Sequence, residues 1–449
     1  MELGTWALIQ NTPSLLGLVP LIVYIVLAFI IQDSMILPLA ISLVVGFIMS
    51  GNGAVEFGQA FGTGMGGMMG QVGFLVLMGG GLGGVMNKVG VTTTLCKWII
   101  KGFHIKGKKS AIVILAFCQG ILTLVIGSAV TASAIAAPFM IPIAAIFGVH
   151  PITLAVVMVF PGFVGMLLSP FSAPNITAME LTGLSFGQYL GWAAGPFLAV
   201  MAVMSIVLCF WVEKSMDKKA DAEVYTLTEE EKNYDVAVTP ERKRATIAFL
   251  VVFVACVAWV IKNGNGLSFT FFYMILLTVV VAVLGKVKLV KAIDEFVTSA
   301  SKLLQIFIIC VGSQMMIDTV NAMGGFDALG DIFTSFVTNG SGAGITAIIA
   351  TLVGAFGISG VASTQMIVID QLFGAIIKQV GMLPGMWALV LVAGSYLTVV
   401  LYPSMTHFSA LGLFRSKDMK TLLKVCWIGS GIMLAFCFAY FMIVPIIFG

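Results

Sequence analysis

The chain has 449 residues, of which 59% are hydrophobic and only 10% are charged, and its formal net charge is +3. Soluble domains carry about 25% charged residues, so this composition excludes a water-soluble globular protein. It predicts an all-α polytopic membrane protein whose principal partner is the lipid bilayer.

Apolar segments follow one another along the whole chain, and each of ten is close to the length that crosses a bilayer. In chain order these candidate spans are residues 15–31, 35–50, 73–87, 151–169, 189–212, 246–261, 267–284, 305–321, 384–402 and 425–448. The strongly polar segment 213–245 is predicted to be a cytoplasmic linker. With about ten transmembrane helices, the chain is expected to be a multi-pass protein of a cell inner membrane.

Two further apolar segments, residues 110–147 and 344–377, are interrupted near their middle by glycine and hydroxyl residues. Each is either a pair of full spans or one re-entrant hairpin. The polar breaks favour hairpins, because backbone without regular hydrogen bonds must face protein or water at membrane depth.

The sequence also repeats itself. Gly127 opens the run Gly-Ser-Ala-Val-Thr-Ala-Ser, and Gly360, 233 residues later, opens Gly-Val-Ala-Ser-Thr-Gln-Met. Three further pairs recur at this offset: Thr131 with Thr364, Pro151 with Pro384, and Pro170 with Pro403. The pattern predicts two repeats, residues 1–212 with the first hairpin and residues 246–449 with the second.

Clustered basic residues predict how the chain is threaded. They crowd residues 88–109, 214–244, 286–302 and 415–424, and the positive-inside rule places all four clusters on the cytoplasmic side. Ten crossings with two hairpins satisfy this rule. Both termini then lie outside, and the two halves have opposite orientations, as an inverted repeat requires.

Four polar clusters at membrane depth are the candidate substrate site. Their members are Ser128, Thr131 and Ser133; Ser172 and Asn175, after Pro170; Ser363 and Thr364; and Ser404, Thr406 and His407, after Pro403. A proline frees backbone carbonyls, and helix N-termini attract anions.

A sodium site is predicted at Gly127, Ser128, Asn175, Gly360 and Thr364. The alternative is that the prolines only kink helices and the hydroxyls bond back to them.

Fixed charge is scarce within the spans. Asp318 and Asp370 lie in apolar runs, and intramembrane carboxylates are costly and usually functional. Together with Gly127 and Gly360 they are the candidates for ion coupling, although either aspartate could instead pair with a lysine or a helix end. His407 is a candidate proton relay or a structural histidine.

No signature of an enzyme is present. The sequence lacks a nucleophile elbow, a phosphate-binding P-loop and paired metal-ligand spacing, and its seven single cysteines fit small buried hydrophobes. We expect no catalytic residue, no cofactor and no nucleic-acid partner.

The layout of two broken stretches per repeat resembles the ion-transporter superfamily of secondary carriers. Within it, Gly-Thr-Gly-Met-Gly-Gly at residues 62–67 and Gly-Gly-Val-Met-Asn-Lys-Val-Gly at 83–90 look like the gluconate-permease family. Related branches carry citrate, dicarboxylates or amino acids, and one exchanges sodium for protons. The resemblance implies paired re-entrant hairpins, a homodimer, and one domain moving against a fixed scaffold.

These observations predict a secondary transporter that couples uptake of a small organic anion, such as a sugar acid, citrate, a dicarboxylate or an amino acid, to sodium ions or protons. The alternative prediction is a sodium/proton antiporter that uses Asp318 or Asp370 as its titrating group.

Overall fold

The computed structural model describes residues 3–4, 6–9, 12–31, 36–102, 106–226, 238–263, 267–337, 342–355 and 362–448. The described part is built of helices. In the first half they are a 3₁₀ turn at Leu15–Leu18, α1 Val19–Ile30, α2 Ile36–Met49, α3 Ala54–Gly66, α4 Met68–Val89, α5 Val91–Gly102, α6 Lys108–Ile126, α7 Ala129–Ile146, α8 Pro151–Leu168, α9 Ala173–Thr182, α10 Phe186–Tyr189 and α11 Gly195–Met216. A π-turn, Leu190–Ala194, joins the last two.

The second half continues with another series of helices. They are α12 Pro240–Asn263, α13 Leu267–Leu284, α14 Leu289–Ser301, α15 Leu304–Ala322, α16 Gly325–Val337, α17 Ala343–Ala355, α18 Ala362–Gln379, α19 Pro384–Leu401, α20 Met405–Leu413 and α21 Met419–Phe448. Among the described helices, seven are long and apolar enough to cross a membrane, and shorter apolar helices accompany them. The prediction of an all-α polytopic membrane protein is confirmed.

Helices α8 and α19 form the centre of the molecule. In their 18-residue apolar windows 83% and 89% of the residues are buried, against 22% for α21. An apolar helix buried on all sides is surrounded by other helices, whereas one buried on a single side faces lipid. Each central helix begins with proline at its first position, where the missing N–H removes no helical hydrogen bond.

The helix bounds of the second half repeat those of the first. Helices α7 and α18, and likewise α8 and α19, are related by 233 residues at both ends. Each central helix then stops at a proline-containing break and is followed by a short helix, α9 or α20. This regularity supports the predicted duplication, and the opposite orientation of the two halves stays a prediction.

The two halves are interlocked around the central helices. The short helix α9 packs against α18 and α19 of the second half, and its counterpart α20 packs against α7 and α8 of the first. Consequently each proline break of one half lies beside the hairpin of the other half. This exchange of short helices brings sequence-distant polar clusters to one place.

Glycine allows the first arm of each hairpin to approach its central helix closely. A Cβ atom on Gly165 of α8 would lie 2.0 Å from the carbonyl oxygen of Gly120 in α6, and one on Gly354 of α17 would lie 3.0 Å from the Cα of Gly394 in α19. A larger residue at the first contact cannot be accommodated without moving backbone. Small residues of this kind are the usual means of tight helix packing in membranes.

The helices on either side of the linker extend into the segment predicted for it. Helix α11 continues to Met216 and α12 begins at Pro240, so both ends of the expected segment 213–245 belong to helices. The Glu223 carboxylate accepts hydrogen bonds from Ser416 Oγ at 2.6 Å and from the Lys417 N–H at 2.9 Å. The first linker residues are therefore fastened to the loop between α20 and α21.

Candidate functional site

A cavity of about 250 Å³ lies between the two halves. Residues from all four interrupted segments line it: the first hairpin, the break after α8, the start of α18 in the second hairpin, and the start of α20. The polar groups along its lining are Ser128, Thr131, Lys302, Gln305, Ser363, Tyr396, Thr406 and Ser409. Helices α4 and α15 close the remaining side.

The first hairpin turns at Gly127, where φ is +79° and the chain leaves α6 in the left-handed conformation. Ser128 then caps α7, and its Oγ accepts the Thr131 N–H at 3.3 Å and lies 3.0 Å from Thr131 Oγ1. A Cβ atom on Gly127 would be 2.8 Å from the carbonyl oxygen of Phe171. Glycine is thus required both for the turn and for contact with the second break.

The second break is stabilised by Asn175, which is fully buried. Its Nδ2 donates to the carbonyl oxygens of Met166, Leu167 and Ser169 at 2.7, 3.0 and 2.8 Å, and its Oδ1 accepts from the Tyr189 hydroxyl at 2.8 Å. Carbonyls at the end of a helix lack the usual N–H partner four residues on, although the Met166 carbonyl also accepts the Ser169 N–H at 3.1 Å. Asn175 therefore caps α8, and its side chain is fully used within the protein.

The fourth break resembles the first in its capping. Ser404 precedes α20, and its backbone N–H donates to Nδ1 of His407 at 3.3 Å, with Ser404 Oγ 3.0 Å from the same nitrogen. His407 is completely buried and does not line the cavity, whereas Thr406, one position earlier, does. The arrangement makes His407 part of the cap of α20.

The first turns of four helices border the cavity. These are Ala129–Thr131 of α7, Ala173 and Pro174 of α9, Ala362 and Ser363 of α18, and Thr406 of α20. Backbone N–H groups in the first turn of a helix lack a helical partner, although the Thr131 N–H is bonded to Ser128 Oγ, and the helix dipole places partial positive charge there. Four such termini around one space favour an anionic ligand.

Two buried hydroxyls support the interpretation of this space as a binding site. The Tyr396 hydroxyl and Ser363 Oγ line the cavity, yet neither forms a hydrogen bond with a described residue. Tyr396 is 0% exposed and Ser363 is 1% exposed. Buried polar groups are nearly always hydrogen-bonded, so these two are available to a ligand.

Other residues that the sequence predicted to contact the substrate are not found in the cavity lining. Ser133 and Ser172 are buried, and their hydroxyls form no hydrogen bond with a described residue, but neither lines the cavity. Gly360 and the side chain of Thr364 lie outside the described residues. Of the five residues predicted to bind sodium, Gly127 and Ser128 line the cavity, and the Asn175 oxygen is engaged by Tyr189.

Asp318 and Asp370 occupy two different places away from this cavity. The Asp318 carboxylate accepts from Gln314 Nε2 at 2.8 Å and lines a separate cavity of about 610 Å³ with Asn52, Glu56 and Thr63. The Asp370 carboxylate accepts from Trp387 Nε1 at 2.7 Å. Asp318 is therefore placed beside an open polar space, and Asp370 is held by an indole N–H.

Sequence reasoning missed Lys302, Gln305, Tyr396 and Ser409 as cavity residues. Tyr396 and Ser409 lie within nine residues of the predicted break at Pro403, so a wider window around the break includes them. Lys302 and Gln305 lie on the other side of the cavity, at the junction of α14 and α15. No local pattern distinguishes Lys302 from the other lysines of its cluster.

Comparison with known proteins agrees with this architecture. The model of the Na+/H+ antiporter family matches residues 5–214, slightly less than half of the chain. The crystal structure of the YdaH transporter of Alcanivorax borkumensis is similar with a TM-score of 0.53 and 14% sequence identity, over 88% of this chain and 90% of that chain. No curated protein matches the chain.

The family match and the likeness to YdaH together support the interpretation of the chain as a multi-pass secondary transporter. The likeness to YdaH is at the level of fold. The family match concerns sodium/proton antiporters and does not support the gluconate-permease branch specifically.

Proposed function

We propose that the chain is a secondary transporter that carries a small organic anion into the cell together with sodium ions or protons. The observation that carries this proposal is the group of four helix N-termini around one cavity with unpaired hydroxyls. A site of this kind neutralises a carboxylate without a dedicated arginine. Because helix dipoles point their positive ends at the cavity, a bare cation alone is disfavoured there.

The two interrupted helix pairs also provide a means of movement. The cavity has walls from both hairpins on one side and from α4 and α15 on the other. An anion bound between them neutralises the positive helix ends of the hairpin wall. In the empty site, closing α4 and α15 over these helix ends would remove water from them without supplying a counter-charge. We therefore propose that the hairpins and their short partner helices move together relative to α4 and α15 during transport. We also propose that the transporter is a homodimer.

Uptake into proteoliposomes tests the proposal. Radiolabelled carboxylates and amino acids are offered with an inward sodium gradient, an inward proton gradient or neither, and gradient-dependent accumulation is expected for at least one organic anion.

Replacing Thr131 or Thr406 by valine should lower that uptake about tenfold, because each substitution removes a hydroxyl from the cavity. Thr298→Val, on the exposed face of α14, is the matched control. Failure of every anion to accumulate under either gradient contradicts the proposal.

The second candidate is sodium/proton exchange, which the family match over residues 5–214 favours. Asp318 is its best-placed titrating group, because it lines the 610 Å³ cavity beside Glu56, whereas Asp370 is bonded to Trp387. Under this hypothesis Asp318→Asn abolishes sodium-driven pH change in everted vesicles, and Asp327→Asn in the first turn of α16 leaves it intact. Exchange that survives both Asp318→Asn and Asp370→Asn rules out this candidate.

A further inference from the structure

One positive side chain stands at the edge of the central cavity. Lys302 follows α14, and among the described lining residues it is the only charged one. It forms no salt bridge within the described part of the chain, and the nearby Glu295 pairs with Lys88, whose Nζ lies 3.0 Å from the carboxylate. Lys302 is solvent-exposed and also interacts electrostatically with Glu295, so it adds a partly screened positive charge to a space already bordered by positive helix ends.

The rest of the cavity wall is predominantly apolar. Phe163 packs against the ring of Tyr396 with ring centroids 4.9 Å apart, and Phe171 stacks on Tyr273 at 4.3 Å. Further apolar lining residues come from the scaffold helices: Val72, Leu75, Val76, Met274, Ile306 and Ile309. Against these apolar scaffold residues a ligand hydroxyl or second carboxylate loses its hydration without gaining a hydrogen bond, whereas the unpaired hydroxyls of Tyr396 and Ser363 belong to α19 and α18.

The size of the space limits the ligand further. Sites for drug-sized molecules have volumes of about 300–1,000 Å³, and this cavity has about 250 Å³. Small metabolites of a few carbon atoms therefore fit, with the charged end near the helix termini and the remainder against the aromatic rings.

From these three observations we infer that the transported anion is a monocarboxylate with an apolar body. The inference rests on the proposed function and selects one class among the anions expected from the sequence. The carboxylate lies at the N-termini of α7, α9, α18 and α20, and Lys302 acts as its counter-charge. Citrate and dicarboxylates bring further charges that lie against the apolar scaffold residues when the first carboxylate occupies the helix N-termini. Sugar acids bring a chain of hydroxyls to apolar walls, and amino acids bring an ammonium group to a positive site.

Four six-carbon compounds represent these four classes of anion. Hexanoate has one carboxylate and an apolar chain, adipate has a second carboxylate, gluconate has hydroxyls along the chain, and leucine has an ammonium group. Binding is measured as a concentration-dependent rise in the melting temperature of the purified full chain, and transport is measured as uptake into proteoliposomes. Hexanoate is expected to bind at least tenfold more tightly than the other three.

The role of Lys302 as the counter-charge is tested with the same measurement of hexanoate binding. Lys302→Gln should weaken hexanoate binding by about twofold to fivefold, the range of one exposed ion pair. Lys302→Arg should restore most of the affinity because it keeps the charge. Lys291→Gln, which removes an exposed lysine from the preceding helix α14, is the matched control and should leave binding unchanged.

The outcomes separate the two hypotheses. Preference for adipate, gluconate or leucine, or unchanged hexanoate affinity in Lys302→Gln, overturns the inference and leaves an organic-anion carrier in place. Transport of none of the four, nor of any other organic anion under a sodium or proton gradient, overturns the proposed function and the inference with it.

Discussion

At the scale of single residues, Gly127 is the position where local and tertiary requirements coincide. Replacing it by alanine adds a Cβ in the left-handed region and 2.8 Å from the Phe171 carbonyl oxygen. We expect a loss of about 1–3 kcal/mol of stability, measured as a lower melting temperature in detergent. Gly183 is the control: its φ is +69°, but nothing lies within 4 Å of a Cβ there, so Gly183→Ala should cost only about 1 kcal/mol. Equal losses would contradict the packing argument.

Asn175 illustrates how a predicted ligand residue can instead have a structural role. Its amide donates to three carbonyl oxygens at the end of α8. In Asn175→Asp a carboxylate oxygen faces these carbonyls, or a single proton replaces the two amide hydrogens. We expect a loss of about 3 kcal/mol or more and a low yield of folded protein by size-exclusion chromatography.

Asn87→Asp is the matched control for this substitution, because Asn87 is exposed in the last turn of α4. It should cost about 0.5 kcal/mol or less. A well-folded Asn175→Asp protein with defective substrate binding would instead favour the original prediction that Asn175 contacts the ligand.

At the scale of elements, the first hairpin is tied at its base to the linker. Lys108, the first residue of α6, lies 2.5 Å from the Asp217 carboxylate and also pairs with the nearly buried Glu213. His150, which precedes α8, reaches the same two acidic side chains. Four charged or titratable groups from three helix ends therefore meet where α6, α8 and α11 converge.

This contact predicts a pH-dependent contribution to stability. The hydrogen bond from Lys108 lowers the pKa of Asp217 below its ordinary value, so the ion pair stabilises the folded state above the unfolded pKa of about 4 and is lost as pH falls through the lower folded value. Asp217 is half exposed, which limits the contribution to about 1 kcal/mol.

We therefore expect Asp217→Asn to lower the melting temperature slightly at pH 7, and the difference from the unsubstituted protein to become smaller at pH 3 or in high salt. Asp221→Asn, an exposed residue of the same loop, should show no difference at either pH. A difference that persists unchanged at pH 3 would show that Asp217 acts through something other than its charge.

At the scale of the whole molecule, the repeated helix bounds make the orientation of the halves testable. Helices α3 and α14 occupy corresponding positions, and Glu56 in the first and Lys291 in the second are both exposed. Inverted halves place these residues on opposite sides of the membrane. In intact cells, Glu56→Cys should react with a membrane-impermeant thiol reagent, and Lys291→Cys should react only after permeabilisation.

Six of the seven cysteines have buried thiols, namely Cys118, Cys209, Cys256, Cys310, Cys426 and Cys437, so these six add little background to the experiment. Labelling of both positions from the same side would contradict inversion while leaving the duplication intact. With the predicted orientation, Lys302 faces the cytoplasm and the cavity beside Asp318 faces outside, so the two spaces serve opposite faces of the membrane.

The sequence by itself determined the helical membrane fold and the positions of three of the breaks. The apolar composition requires paired backbone in lipid, and Gly127, Pro170 and Pro403 interrupt helices through their own covalent structure. The fourth break, at Gly360, lies outside the described residues. These properties are local, so they can be recognised in a single sequence.

Only the tertiary structure decided which residues of each break meet the cavity. The exchange of α9 and α20 between the halves brings the four helix N-termini together, places Lys302 at the edge of the same space, and buries His407 behind Thr406. Whether an amide such as that of Asn175 faces a ligand or a neighbouring carbonyl depends on contacts made after the helices pack. That packing joins residues more than a hundred positions apart, and no local pattern encodes it.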